Sequence, residues 1–283
     1  MVELGFSLQP RYDCPQERVI ETLREAGFSA VSPVWSRELP LEALAKSVQR
    51  HGMGIQSLHA PHGGLASLWN PRDPFSPQAQ SNVLGCIDAC AEYQIPIAVV
   101  HGWQGLEYTF PDTPLDFSVF DRIVDHAAKR SVSIAFENLE GEEYLQALIA
   151  RYDRLPHIGY CWDSGHDHCY PHKLNFLESF GSKLIMTHLN DNLGLRDPNG
   201  VPTGKDDLHF LPYDGTIHWE SALKRLRDLP KQRILNFELK KRSASDAPGD
   251  LIYDKLSPEE FFRLAGLRAR RVADLYGEIM NKA

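Results

Sequence analysis

Eight short apolar runs, rich in β-branched residues and separated by amphipathic segments, place the strongest constraint on the fold of this chain of 283 residues. Most of the runs are continuously apolar rather than alternating, which is typical of parallel strands covered on both faces. The candidate strands are 4–8, 29–35, 54–60, 96–102, 132–138, 158–163, 184–189 and 234–240. Segments with helical apolar spacing include 16–27, 77–93, 115–130, 219–229 and 257–276. This alternation favours a (β/α)8 barrel, the TIM barrel of the α/β class, over an open doubly wound sheet.

The composition is that of a globular protein with a substantial core. Hydrophobic residues make up 42% of the chain and charged residues 24%, and the formal net charge is −8. The length suits one large domain, and no break in composition separates a second, so we predict a single domain over 1–283. Proteins that bind duplex DNA need clusters of Lys and Arg, so the negative net charge argues against a nucleic-acid partner.

Cysteine usage and the N-terminal segment predict the compartment. The five cysteines are an odd number and include no CxxC pair, so we expect no disulfide framework. The segment MVELGFSLQP lacks the basic and apolar regions of a secretory signal. No window approaches the roughly 18 continuous apolar residues that span a membrane. We therefore expect a soluble, cytoplasmic protein with no membrane partner.

Ionisable side chains gather at the carboxyl ends of the predicted strands, which is where the active sites of such barrels form. Six successive strands end in His, Asp or Glu. Buried carboxylates are costly unless they are paired, protonated or bound to a cation. Glu137 and Glu238 each follow an apolar run, so a bound metal ion would stabilise their ionised forms. The strand-end and loop residues are His59, His62, His101, Glu137, Asp163, His166, His188, Asp207, His209 and Glu238.

The ligand types in this set indicate the kind of metal. Carboxylates combined with imidazole suit Mn²⁺, Zn²⁺, Co²⁺ or Fe²⁺, whereas a site of oxygen ligands alone favours Mg²⁺ or Ca²⁺. Two Glu, one Asp and one His therefore point to a divalent transition metal, although the identity stays open among Mn, Zn, Co, Fe and Mg. Five more residues could hold additional ions or orient a polar substrate, namely His59, His101, His166, Asp207 and His209.

Short sequence motifs follow the predicted strands in order along the chain: HAP, VVH, FEN, D-x-x-H, HLND, D-x-H and FEL. Together with the segment LPYDGTIHW they make eight motifs at barrel spacing over nearly the whole chain. This ordered set resembles the xylose isomerase-like barrel superfamily, which includes sugar phosphate isomerases and epimerases and the endonuclease IV type of apurinic endonuclease. LPYDGTIHW resembles the family's PGEG-x-I-D-W, with Tyr213 and Asp214 in place of Gly-Glu and His218 in place of Asp.

The resemblance implies a metal-dependent isomerase or epimerase of a sugar or related polyhydroxy carbonyl compound. Such an ion would hold adjacent oxygens of a ketose-like substrate and polarise its carbonyl, which stabilises an enediolate. Glu137 and Glu238 would flank the substrate, one removing the proton α to the carbonyl and the other returning it. A dehydratase would be a variation on the same chemistry, and the exact substrate, its phosphorylation and the oligomeric state stay open. The implied metal ligands are Glu137, Asp163, His188 and Glu238.

Two alternatives stay open. The strand-end set also matches the ligands of the zinc-dependent apurinic endonucleases, which hydrolyse a DNA phosphodiester. The net charge of −8 and the lack of Arg- or Lys-rich segments after most strands argue against that function. The other alternative is a barrel that binds a ligand or metal without turnover, although none of the four core ligands is missing.

Overall fold

The strands form two parallel sheets in a computed structural model that describes residues 2–9, 12–197, 199–242 and 252–282. One sheet has the order β3-β2-β1-β9 and the other β4-β5-β6-β7-β8. Their bounds are β1 Glu3–Leu8, β2 Ala30–Pro33, β3 Gly54–Ile55, β4 Ser57–His59, β5 Ile97–His101, β6 Ser133–Glu137, β7 Ile158–Asp163, β8 Leu184–His188 and β9 Ile234–Phe237.

Isolated bridges close the two sheets into a barrel. Val34 pairs in parallel with His59, and Leu189 pairs in parallel with Phe237. The predicted strand 54–60 is divided into β3 and β4 at Gln56, whose backbone N–H still donates to the carbonyl of a β2 residue at 2.9 Å. The barrel therefore has eight strand positions, and the predicted (β/α)8 barrel of the α/β class is confirmed.

Helices cover the outside of the barrel and agree with the predicted amphipathic segments, apart from their ends. The helix predicted over 219–229 ends earlier, at Lys224, and turns follow it. None of the helices in the described ranges is long and apolar enough to cross a membrane. The α-helices are α1 Gln16–Glu25, α2 Leu41–Arg50, α3 Ser76–Glu92, α4 Ser118–Arg130, α5 Glu142–Arg151, α6 Ser164–Cys169, α7 Phe176–Phe180, α8 Trp219–Lys224 and α9 Pro258–Asn281.

A small apolar layer inside the barrel determines the direction of the site residues. Four side chains from neighbouring strands form this layer and are separate from the large core between strands and helices: Val99, Ala135, Cys161 and Met186. Side chains on a strand alternate between its faces, so the residue two positions further along points into the same interior. The residues at those positions are His101, Glu137, Asp163 and His188. The strand pattern therefore places four ionisable side chains directly above an apolar floor.

Candidate functional site

A cavity of about 270 Å³ opens at the carboxyl ends of the strands. Seven of the predicted site residues line it, and the remaining two, Asp163 and His188, are buried close to them. The volume suits a small molecule rather than a folded macromolecular segment. The lining residues are Gln9, Val34, His59, His62, His101, Gln104, Glu137, Leu139, Glu140, His166, Tyr170, Gly204, Asp207, His209, Glu238 and Lys240.

The four residues that the family resemblance implies as metal ligands converge on one point. Glu137, Asp163, His188 and Glu238 each offer a ligand atom, and these atoms all lie within 4.8 Å of one another. His188 Nδ1 lies 2.8 Å from Glu137 Oε1 and 2.9 Å from Glu238 Oε2. The side chain of Glu137 is fully buried, whereas that of Glu238 is 13% exposed and reaches the cavity. We call these four residues the central group.

Glu137 also takes part in a second group of ligand atoms with two histidines. Its Oε2 lies 3.1 Å from His59 Nε2 and 3.0 Å from His101 Nε2. Burial alone would raise the pKa of Glu137, but the imidazoles of His188 and His101 outweigh burial and hold this pKa well below its usual range. Burial lowers the pKa of His101 to about 4, which favours the neutral imidazole that a metal requires. Glu137 thus turns one oxygen toward each group.

A third group lies beside the central one and contains Asp163, His166 and His209. Asp207 joins it from the loop after β8, with Oδ2 at 3.4 Å from His166 Nε2 and Oδ1 at 2.9 Å from His209 Nδ1. Burial would raise the pKa of Asp207, but the two imidazoles hold it well below its usual range. All nine predicted site residues are therefore brought together in this part of the molecule.

The charges within the central group show whether its residues fit a metal ion. Burial raises the pKa of Asp163 to about 6, and the adjacent carboxylates of Glu137 and Glu238 act in the same direction. Three carboxylates thus meet around one imidazole in a place that water scarcely reaches, which is costly without a cation. The oxygen and nitrogen donors suit a divalent transition metal. The residues present therefore fit such an ion, and the second and third groups offer donors for others.

Asparagines that sequence analysis did not assign to the metal ligands hold Asp163 in place. Asn190 Nδ2 donates to both carboxylate oxygens of Asp163, at 3.2 and 3.0 Å. Asn138 Oδ1 accepts from the Asp163 backbone N–H at 2.8 Å. A Cβ on Gly165 would lie 1.8 Å from Asn190 Oδ1, so only glycine fits there. Asn190, which follows His188 in the HLND motif, therefore orients Asp163.

Asp191, also in the HLND motif, anchors the next loop rather than the metal ligands. Its carboxylate accepts from the backbone N–H groups of Tyr213 and Ile217, at 2.9 and 3.0 Å. It also accepts from the indole N–H of Trp219 at 2.9 Å. A buried carboxylate with three such donors fixes the start of α8. This anchoring explains why a carboxylate follows the strand without lining the cavity.

The replacement of the family's Gly-Glu pair by Tyr213 and Asp214 affects the outer surface of the barrel and not the cavity wall. Tyr213 has a φ of +74°, a conformation that favours glycine, and its ring lies 3.9 Å from the guanidinium carbon of Arg271. Asp214 accepts from the Tyr253 hydroxyl at 3.0 Å and from Arg268 at 2.8 Å. Neither residue lines the cavity, so the departure from the motif leaves its wall intact.

Lys240 is a cavity residue that the strand-end motifs did not predict, although its spacing from Glu238 gave a signal for it. Lys240 lies two residues after Glu238, so an extended chain directs both side chains to the same face. It lines the cavity and is the one Lys or Arg among the described lining residues. Its backbone N–H donates to the His209 carbonyl at 3.0 Å, which ties it to the third group.

A closed parallel barrel with carboxylates and imidazoles clustered at its strand ends defines the class of TIM barrels with a strand-end metal-ligand site. The family model described as "Xylose isomerase-like TIM barrel" matches residues 20–257. The chain belongs to this family, as the strand-end motifs indicated. A relative in Sinorhizobium fredii (strain NBRC 101917 / NGR234), the uncharacterized protein y4fM, is 30% identical, and the match covers 80% of this chain and 82% of the relative.

Solved structures agree with this fold. The structure of IolI protein with a bound zinc atom superposes with a TM-score of 0.73 at 20% identity and covers 99% of this chain and 98% of its own. The apo form of 3-keto-D-glucoside 4-epimerase, YcjR, from E. coli gives a TM-score of 0.66 at 15% identity, over 96% of this chain and 100% of its own. At these identities the likeness shows the fold alone.

Proposed function

We propose that this chain is a divalent-metal-dependent isomerase or epimerase of a small sugar or related polyhydroxy carbonyl compound. The observation that carries this proposal is the central group at the base of a cavity of about 270 Å³, with two glutamates among its members. Glu137 comes from β6 and Glu238 follows β9, which lie on well-separated parts of the barrel wall. Two carboxylates so placed can face a small substrate from different sides.

The four residues of the central group would bind the metal ion, and two of them would also transfer a proton. Glu137, Asp163, His188 and Glu238 would hold the ion, which when bound supplies a Lewis acid for the substrate carbonyl. Glu238 would exchange the proton at the α-carbon because its carboxylate reaches the cavity, and Glu137 would serve on the other side. Return of the proton to the opposite face of the same carbon gives an epimer, and return to the neighbouring carbon gives an isomer.

The relatives support this assignment at the level of the substrate class. One structural neighbour is a 3-keto-D-glucoside 4-epimerase, and another is D-psicose 3-epimerase solved with D-tagatose. Zinc is bound in IolI, and magnesium is present in a complex of a neighbour from Mycobacterium smegmatis. These names support a sugar-like substrate and a divalent ion without choosing among metals.

The experiment is a screen for conversion. The protein would be loaded separately with Mn²⁺, Co²⁺, Zn²⁺ and Mg²⁺ and incubated with a panel of ketoses, aldoses, 3-keto sugars and their phosphates. Nuclear magnetic resonance would detect the formation of a product that is an isomer of the substrate. We expect conversion of at least one member by the metal-loaded protein and none after chelation. A panel in which no member is converted with any metal would contradict the proposal.

A second candidate function is favoured by a specific observation. Four of the other five site residues form two further ligand groups with Glu137 and Asp163, and Asp207 lies beside one of these groups, as a phosphodiesterase with several zinc ions would need. Against this stands the cavity wall, where Lys240 is the single Lys or Arg among described residues, because DNA backbone recognition needs several cations. Counting bound ions per chain separates the candidates, since one ion favours the first and three zinc ions favour the second.

A further inference from the structure

Lys240 is an unusual member of the cavity wall, because its ammonium group has no carboxylate partner in the part of the chain that the structure describes. Its Nζ lies 3.3 Å from Nδ1 and 3.2 Å from Nε2 of His209. Those two nitrogens already face carboxylates, Nδ1 at 2.9 Å from Asp207 and Nε2 at 3.4 Å from Glu238. Both ring nitrogens of His209 are therefore shared with carboxylate oxygens, and the ammonium group itself has no counter-ion among the described residues.

The position of Lys240 relative to the central group determines which part of a bound substrate the Lys240 side chain could contact. Glu238 and Lys240 are two residues apart, which is about 7 Å along an extended chain. The barrel strands run toward the cavity, so the chain order places Lys240 beyond Glu238 in that direction. A substrate whose reacting carbons lie beside Glu238 would therefore present a more distant substituent to the ammonium group.

The same cavity wall contains a second potential donor to a ligand. Gln9 Nε2 is buried and has no hydrogen-bond partner among the described residues. A buried amide donor and a lysine without a counter-ion both require an acceptor from outside the protein. Glu140 also lines the wall, and burial raises its pKa, which reduces the negative charge facing a ligand there.

We propose that Lys240 binds an anionic substituent of the substrate, remote from the reacting carbons, and that the substrate is therefore a sugar phosphate or a sugar acid rather than a neutral sugar. This rests on the proposed function for its account of which carbons react. The shared chemistry is an oxyanion that accepts charge-assisted hydrogen bonds from an ammonium group. Gln9 is the second donor within the same cavity wall.

The test measures affinity rather than turnover. The probes are D-glucitol, D-glucitol 6-phosphate and D-gluconate, titrated calorimetrically into the metal-loaded protein. They share a carbon count and differ in their charged group, so they separate a phosphate from a carboxylate. Lys240→Met removes the ammonium group and keeps an apolar stem. Lys241→Met is the matched control, because it makes the same charge change one residue along, outside the described cavity lining.

We expect the wild type to bind at least one anionic probe about tenfold or more tightly than D-glucitol, in line with a charge-assisted hydrogen bond. Lys240→Met should abolish that preference, Lys240→Arg should keep part of it, and Lys241→Met should keep all of it. Equal affinity for the three probes in the wild type, including no binding, would overturn the inference, as would a preference that survives in Lys240→Met. A failure of the proposed function would show separately, as an absence of conversion in the sugar screen.

Discussion

Glu137 is the residue at which the ligand groups meet. One of its oxygens lies 2.8 Å from His188 and the other 3.0 Å from His101, and its side chain is fully buried. A carboxylate in that position can bridge two ions or bind one ion while hydrogen-bonding a neutral imidazole. Glu238 is more exposed and lines the cavity. The two glutamates are therefore unequal, and the proposed proton transfer falls first to Glu238.

Asp163→Ala should lower the amount of bound metal by about tenfold or more, because loss of a ligand is at least as severe as loss of a residue that orients one. Bound metal would be measured by inductively coupled plasma mass spectrometry on protein purified without chelator. Asp167→Ala is the control, because Asp167 is not a member of the central group. Its carboxylate instead forms an ion pair with Arg225, with an N–O distance of 2.7 Å. A full metal complement in Asp163→Ala would contradict the assignment of this ligand.

Asn190→Ala should weaken metal binding by about tenfold while leaving the fold intact, because Asn190 orients both oxygens of Asp163. The measurement is a competition titration against a chromogenic chelator. Asn199→Ala, at an exposed position in the loop after β8, is the matched control. Unchanged affinity in Asn190→Ala would mean that Asp163 needs no such support.

At the scale of the elements, the alternation of apolar runs with amphipathic segments was sufficient to predict the barrel. Residues such as Glu137 and Asp163 follow apolar runs at the spacing that a barrel interior requires. The ends of helices were less predictable, because they depend on local caps. The helix predicted from 115 begins at Ser118, where Asp116 accepts from the Ser118 backbone N–H at 2.8 Å.

The grouping of the site residues could be predicted only in part, because it depends on contacts between distant segments. Asp207 joins His166 from a loop after β8, and no local pattern states that distance. Lys240 was missed because a lone lysine after a strand is usually solvated. Its place in the cavity follows from its backbone hydrogen bond to His209, which is a tertiary contact.

The end of α4 offers a stability prediction at this scale. Ser131 is exposed and has a φ of +57°, the left-handed conformation that glycine adopts without a Cβ clash. Ser131→Gly should raise the free energy of unfolding by about 0.5–1 kcal/mol, since relief of the strain exceeds the added entropy of the unfolded chain. Urea denaturation is the measurement. Ser131→Ala keeps the Cβ and should bring no gain, so an equal gain from both would refute the strain argument.

At the scale of the whole molecule, the proposed metal ion would link strand ends around the barrel. The central group draws its candidate ligands from β6, β7, β8 and the residue after β9. Removal of metal by chelation and dialysis should therefore lower Tm by about 5–10 °C, as expected for a ligand present at roughly a hundred times its Kd. Differential scanning calorimetry is the measurement, and added metal should restore Tm. Asp163→Ala is the control that should respond little, whereas identical Tm values for the wild type with and without metal would contradict the linkage.

The overall charge of the molecule gives a prediction about nucleic acid. With a net charge of −8 and one described Lys or Arg in the cavity wall, the protein should not incise a duplex that carries an abasic site. Gel electrophoresis of an end-labelled duplex, with zinc-loaded protein, is the measurement. Efficient incision that disappears in Glu238→Gln would favour the second candidate function over the first.

Proton transfer at the carbon next to a carbonyl is the central claim, and hydrogen exchange tests it most directly. A sugar that the metal-loaded protein converts should acquire deuterium at its α-carbon when turned over in D₂O. Glu238→Gln keeps the size of the side chain and removes the base. We predict that this variant, with metal content and substrate binding measured in the same samples, no longer exchanges the α-proton. Exchange at the wild-type rate in both Glu137→Gln and Glu238→Gln, or turnover that retains the original hydrogen, would contradict the two-glutamate mechanism.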